Sequence, residues 1–247
     1  MPKAPKTTHQ FVNRVLTILS TLPWSDTLAG FSNREPITTL SRYLSREWLS
    51  DIHENQMQDL LRSELMRDTN GLAVDLESTY FWKSLKAAFD CRDEARYKEH
   101  GCFSRVRRVG ELLAAGERQK LGLLVNLHNT HWVAVVVDFK ASEVLYGDSL
   151  GDGPTPEVVS ALNWWIQRHT TTSFSWKSLS IAHQKDQHSC GILSWNALAH
   201  HLRPERYALA GASLHETDQL RMETLLQISR RHLDSVSMKH IFSLGSY

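Results

Sequence analysis

The sequence is poor in cysteine: only Cys91, Cys102 and Cys190 occur in 247 residues, and no two of them form a Cys-x-x-Cys pair. An odd, low count excludes a disulfide framework and argues for a reducing compartment, the cytoplasm or the nucleus. The missing paired spacing argues against a structural zinc site. Charge of one sign is missing too. The formal net charge is +1, so composition gives no reason to expect a nucleic acid or an anionic membrane as partner. Two local basic groups, Arg105-Val106-Arg107-Arg108 and Arg230-Arg231, read as solvated faces. Long apolar runs are absent: the longest, Trp132 to Val137, is far too short to span a bilayer. No apolar segment of the secretory kind follows Met1-Pro2-Lys3-Ala4-Pro5-Lys6. There is no internal repeat and no low-complexity tract. With 41% hydrophobic and 22% charged residues, a single domain covering residues 1–247 is expected, soluble and monomeric.

What is present has a clear order. Phe11, Val15, Ile18, Leu19 and Leu22 predict a helix over residues 8–22, stopped by Pro23. Residues 24–45 show no periodicity. Leu49, Ile52, Met57, Leu60, Leu61 and Leu65 predict a second helix over 50–66. Phe81, Leu85 and Phe89 predict a third over 78–89. The charged stretch from Cys91 to Gly101 reads as a loop. The middle then changes period. Leu121, Leu123, Val125 and Leu127 alternate as in a strand, and Trp132–Val137 reads as a central strand buried on both faces. Glu143–Tyr146 is a third strand, and Leu179–Ala182 a candidate fourth. Between them Gly147–Pro154 is turn-rich, and Thr155 with Pro156 opens a helix whose apolar face is Val158, Leu162, Trp165 and Ile166. A polar loop over 183–189 leads into a helix from Cys190 to Leu202, and a last amphipathic helix is expected over 216–232. Helices flanking a compact run of strands define an α+β or α/β class.

Cys190 is the strongest candidate for chemistry, at the junction of a polar loop and a helix. A helix N-terminus carries unpaired N–H groups and a partial positive charge, which favour a thiolate nucleophile. The competing reading is a buried structural thiol. Gly191 would let backbone approach a substrate closely. A nucleophilic cysteine needs a base and a group to orient it. His183 and His188 are near in sequence. His131 is better placed, where a loop enters the buried strand. Asp148 lies just past the next strand, and antiparallel pairing would bring the two to one end of the sheet. Asp148 also reads as an ordinary turn residue. His128 and His131 have a metal-ligand spacing without a third ligand. Gln184, six residues before Cys190, could donate to an oxyanion, with Gln187 as a competitor.

Taken together these residues resemble the catalytic domain of the ubiquitin-like protease (Ulp, sentrin-specific protease) family. The matching pieces are His131-Trp132, Asp148-Ser149-Leu150, Gln184 before Cys190-Gly191, Trp48-Leu49-Ser50-Asp51 and Thr79-Tyr80-Phe81-Trp82, spread over about residues 40–205. The resemblance implies a papain-like cysteine protease fold of the adenain/Ulp type, with a central mixed sheet flanked by helices. The helices at 8–22 and 216–232 would be additions to it. It implies cleavage after the Gly-Gly tail of a ubiquitin-like modifier, SUMO foremost, with no cofactor and no metal. His131 would be the base, Asp148 its orienting acid, Cys190 the nucleophile, and Gln184 with the Cys190 N–H the oxyanion donors. Trp48 and Trp132 would wall a tunnel that only glycine can thread. Asp51 would contact a basic residue of the modifier; it reads equally as part of a capping box with Glu54. The alternatives on the same fold are a module that binds a ubiquitin-like protein without cutting it, and a protein acyltransferase. The sequence departs from the family pattern at Ser189, where an aspartate is usual, and at Asp186-Gln187-His188.

Overall fold

The computed structural model describes residues 6–67, 73–211 and 213–244. Its centre is one five-stranded mixed sheet: β1 (Val74–Leu76), β2 (Lys120–Leu127), β3 (His131–Asp138), β4 (Glu143–Gly147) and β5 (Ser175–Ser178), in that spatial order. β2, β3 and β4 form an antiparallel meander, and the short outer strands β1 and β5 run parallel to their neighbours. β3 is buried on both faces, as its unbroken apolar run requires. Trp132, Ala134 and Val136 face one helical layer, and Val133, Val135 and Val137 face the other.

The first layer holds α1 (Lys6–Ser20), a 3-10 turn (Ile37–Leu44), α2 (Asp51–Leu65), α7 (Cys190–Leu202) and α8 (Leu214–Leu244). The second holds α3 (Thr79–Cys91), α4 (Glu94–Glu99), α5 (Ser104–Ala114) and α6 (Pro156–Gln167). Trp165 is fully buried in the second layer and Trp195 in the first. Each such indole removes about 150–250 Å² from water. Both rings also satisfy their N–H, Trp165 on the Val106 carbonyl and Trp195 on the Met57 carbonyl. The second of these bonds ties α7 to α2, and the Ser194 hydroxyl ties α7 to β3 through the Trp132 carbonyl at 2.9 Å. Together they fix where α7 begins.

Several expectations need correction. The stretch from Cys91 to Gly101 is not all loop. Arg92, at φ 50°, ends α3, and Asp93 caps α4 by accepting from the Arg96 N–H. α4 escaped the periodicity because Tyr97 is its one buried side chain. The strand expected at Leu179–Ala182 is instead β5, Ser175–Ser178, a polar edge segment. Leu179 donates its N–H to the Tyr146 carbonyl as the chain leaves the sheet, and its side chain packs over Gly147. α1 ends two residues before Leu22, and α8 runs well beyond 216–232. The basic groups are not merely solvated. Arg105 pairs with Glu77, and Arg107 donates to the Tyr97 and His100 carbonyls. Arg231 donates to the carbonyls of Gly30 and Asp59. At the start of α2 the cap is Ser50, not Asp51 with Glu54. The His53 ring accepts from the Ser50 N–H at 3.2 Å and lies 3.0 Å from the Thr39 carbonyl. Burial holds His53 down at about 4, so it does this work uncharged. Among the described residues no helix is long and apolar enough to cross a membrane.

Candidate active site

The β2–β3 hairpin is closed by His128 and Asn129, both with positive φ (53° and 60°), and Thr130 donates its N–H to the Leu127 carbonyl. Positive φ at both central residues is the primed geometry that matches the twist of the flanking strands, and three residues, 128–130, join the paired Leu127 and His131. It places His131 as the first residue of β3, level with Leu127. β4 pairs antiparallel with β3, Gly147 lying level with Ala134. The chain therefore leaves β4 at the end of the sheet where β3 begins, and the next residue is Asp148. Its Oδ1 lies 2.7 Å from His131 Nε2 and also accepts from the Leu150 N–H at 2.8 Å. Asp148 is thus both a turn residue and the partner of the histidine. Gly151, at φ 86°, closes the same turn by donating to the Asp148 carbonyl.

Cys190 is the first residue of α7 and almost fully buried. Burial alone would lower the pKa of His131. The Asp148 carboxylate, hydrogen-bonded to the ring, and the neighbouring Cys190 sulfur outweigh it and lift His131 to about 9. With Nε2 committed to Asp148, the other ring nitrogen is left for the sulfur. An imidazolium beside a thiol at a helix N-terminus is an arrangement that stabilises a thiolate and carries a proton ready for a leaving group.

The loop before Cys190 is held by two side chains. Gln184 accepts from the Ser149 hydroxyl through Oε1 at 2.7 Å and donates through Nε2 to the Asp186 carbonyl at 2.9 Å. Its backbone N–H donates to the Ser149 carbonyl at 2.8 Å. The amide orientation is therefore fixed, with one Nε2 hydrogen left to donate. Gln187 is exposed and contributes only its carbonyl, to the Trp48 indole N–H. Asp186 accepts from the N–H groups of His188 and Ser189 and from the Ser189 hydroxyl. Burial works against its charge, but these bonds hold Asp186 below the usual carboxylate range. Asp186 thus braces the residue immediately ahead of the nucleophile.

A cleft of about 300 Å³ opens onto Cys190, lined by Arg42, Trp48, Asp51, Asn126, Asn129 and Trp132 among others. Trp132 is buried and donates its indole N–H to the Leu49 carbonyl at 2.9 Å; Trp48 is 45% exposed. Asp51 lies at the rim, paired with Lys83 at 2.9 Å. Gly191 is not where close approach to a substrate was expected. The space a side chain would fill there is turned inward, onto Glu54 and Leu49. His183, exposed, packs on Gly151 and not on the cysteine, and His188 lies 3.4 Å from Asp186. No third ligand joins His128 and His131: among the described residues no three His, Cys, Asp or Glu side chains are grouped to hold a metal ion. Asn126 and Ser149 were missed. Asn126 occupies an outward position of an apolar strand, opposite Trp132, with its Oδ1 buried and unpaired. Ser149 looked like turn chemistry.

A papain-type layered fold with a cysteine at a helix N-terminus and a histidine–carboxylate pair beside it defines a cysteine protease. The chain belongs to the Ulp1 protease family, whose C-terminal catalytic domain matches residues 47–229. A protein of Acanthamoeba polyphaga mimivirus, named as thiol protease R355, is 31% identical over 81 residues, which are 32% of this chain and 27% of the viral protein. The chain therefore matches about a quarter of the length of that relative. The C-terminal Ulp1 protease domain in complex with Smt3, the yeast ortholog of SUMO, has the same fold, with a TM-score of 0.63 at 15% identity over 93% of this chain and 97% of that one. The Ulp1-like SUMO protease domain of Chaetomium thermophilum gives 0.54 at 14%, over 95% and 91%. The Xanthomonas campestris effector XopD, bound to ubiquitin, gives 0.50 at 19%, over 73% and 91%.

Proposed function

We propose that this protein is a thiol isopeptidase that cleaves after the C-terminal Gly-Gly of a ubiquitin-like modifier, SUMO by preference, acting as a monomer in the cytoplasm or nucleus. The observation that carries the reading is the His131–Asp148 pair at 2.7 Å beside Cys190, at the end of a cleft walled by Trp48 and Trp132. A cleft between two indoles admits backbone but not side chains, which suits a diglycine tail. That Ulp1 holds Smt3 and XopD holds ubiquitin on this fold supports the same class of substrate here.

The Cys190 thiolate adds to the carbonyl carbon of the modifier's last glycine. The oxyanion takes hydrogen bonds from the Cys190 N–H and the free Nε2 hydrogen of Gln184. The C–N bond to the lysine breaks as His131 gives its proton to the leaving amine. His131, now neutral, takes a proton from water, whose oxygen attacks the thioester. The modifier leaves as a carboxylate and the thiolate–imidazolium pair is restored. Asp148 keeps the ring oriented throughout.

The test is labelling by SUMO, NEDD-type and ubiquitin proteins that each carry a C-terminal electrophile. A covalent adduct with the SUMO probe, absent in Cys190→Ala, is the expected result. Preferential labelling by another probe would reject the SUMO preference. Failure of all three would reject the modifier assignment itself.

A further inference from the structure

Beneath the nucleophile lies a group that this mechanism does not use. Glu54, in the first turn of α2, is fully buried, and neither carboxyl oxygen has a hydrogen-bond partner among the described residues. Its Oε1 lies against Gly191: a Cβ on that glycine would come within 2.2 Å of the oxygen. Gly191 is the second residue of α7. The carboxyl group therefore rests on the turn whose free N–H groups and dipole favour a negative sulfur.

The surroundings bear on its charge. Cys190 and Gly191 face it from α7, Leu49 borders the same space at Gly191 from the segment before α2, and Asp51 lies one turn away on α2 itself. Tyr43 from the 3-10 turn and Arg221 from α8 complete the charged and titratable groups that act on it. Arg221 does not bond to it: Nη2 is committed to the carbonyls of Arg42 and Glu47, and Nε and Nη1 are unpaired. A carboxylate without donors in a protein interior is far costlier than the neutral acid. Burial, the Cys190 sulfur and Asp51 push Glu54 well above the usual carboxylate range, and Arg221 opposes them only in part.

We propose that Glu54 is a positioning residue for Cys190: a neutral carboxylic acid that fills the hollow at Gly191, fixes the first turn of α7 and leaves the positive end of that helix to the thiolate. The inference rests on Cys190 being the nucleophile.

The experiment follows alkylation of Cys190 by iodoacetamide as a function of pH, read on its own peptide by mass spectrometry, in wild type, Glu54→Gln and Glu54→Ala. Glu54→Gln replaces a neutral acid by a neutral amide of the same shape. Its pH profile is expected to superimpose on wild type, with rates within about twofold. Glu54→Ala empties the hollow and should lower both the alkylation rate and kcat by about tenfold or more, with KM little changed, because a displaced nucleophile is slow. A Glu54→Gln profile moved to lower pH would reveal a charge at this position in the wild type and overturn the proposal. So would a Glu54→Ala enzyme with wild-type kcat. Should the alanine variant not fold, infrared spectroscopy still decides. A protonated-carboxyl stretch at neutral pH, lost in Glu54→Gln, supports the neutral acid, and its absence from the wild type refutes it. The alkylation assay needs no modifier, so a wrong choice of substrate leaves it untouched. A wrong nucleophile would show instead as a Cys190 no more reactive than Cys91 and Cys102.

Discussion

Cys190→Ala is expected to abolish turnover of a modifier-linked substrate while leaving capture of the free modifier in place. Loss of a nucleophile that works as a unit with its base costs about 10⁶-fold in kcat in comparable enzymes. Nothing else in the cleft can take over, since its other lining side chains offer indole, amide, hydroxyl, guanidinium and carboxylate groups and no second thiol. Binding should survive because the walls are built independently of the sulfur. Trp132 is anchored to the Leu49 carbonyl and Trp48 to the Gln187 carbonyl. Cys190→Ser should be nearly as inactive, since a hydroxyl is not ionised by an imidazolium neighbour as a thiol is. The measurement is single-turnover cleavage of a modifier fusion, alongside calorimetric titration of the free modifier. Cys91 and Cys102 are both exposed and free, so cleavage that persisted at the wild-type rate would move the nucleophile elsewhere and sink the assignment. Loss of binding together with turnover would mean that alanine had disturbed α7, and the variant would then say nothing about the chemistry of sulfur.

How much of this was legible in the sequence follows from how each feature is encoded. β3 announced itself because a six-residue apolar run with four valines is buried on both faces, and α6 because Thr155 and Pro156 mark its start. The pairing of His131 with Asp148 was readable because an antiparallel neighbour returns the chain to the same end of the sheet, and the four residues between β3 and β4 leave little slack. β1 and β5 were not readable. Three and four residues are too few for a period, and β5 is a largely exposed edge. α5 was not read from the sequence, although Val106, Val109 and Leu113 lie on its buried face. Glu54 and Arg221 were invisible for a different reason. Charged residues in amphipathic helices are ordinarily solvated, and only the packing of α2 and α8 against α7 puts these two inside. The same holds for Asp186, whose value lies in three bonds to the residues just ahead of the nucleophile.

These hidden groups have a common task, which is to hold the ends of elements that meet at Cys190. Arg221 grips the carbonyls of Arg42 and Glu47, just before Trp48. Asp186 and Gln184 fix the loop that delivers Cys190, and Ser149 joins that loop to the turn carrying Asp148. The catalytic set therefore comes from three separate stretches of chain, the start of β3, the turn carrying Asp148 and the loop into α7, pinned to one another by side-chain hydrogen bonds. That is the kind of support a site needs if its reacting groups are to stay within about 0.5 Å of their working positions.

Two substitutions at Asp148 separate orientation from charge. Asp148→Ala removes both the acceptor for His131 Nε2 and the acceptor for the Leu150 N–H. Asp148→Asn can keep both bonds on the remaining carbonyl oxygen and loses only the negative charge. The alanine variant is expected to lose about 10²- to 10⁴-fold in kcat, the range seen when a triad's orienting carboxylate is disabled. The asparagine variant should lose less than the alanine, since its carbonyl oxygen can still hold the ring, although an amide in place of a triad's carboxylate alone costs up to about 10⁴-fold. The two should also differ in pH dependence. His131 titrates at about 9 because Asp148 and Cys190 together outweigh its burial. The imidazolium is the acid that the leaving amine needs, so wild-type kcat/KM is expected to hold through neutral pH and fall as the pH rises through about 9. Taking away the Asp148 charge withdraws one of the two supports for the imidazolium, so the alkaline limb of Asp148→Asn should move to lower pH, toward the ordinary histidine value. Profiles of kcat/KM measured on one modifier fusion decide the matter. An asparagine variant with an unmoved alkaline limb would show that His131 is held charged by something other than Asp148, and an alanine variant with full activity would reduce Asp148 to the turn residue that its Gly-Asp-Ser context first suggested.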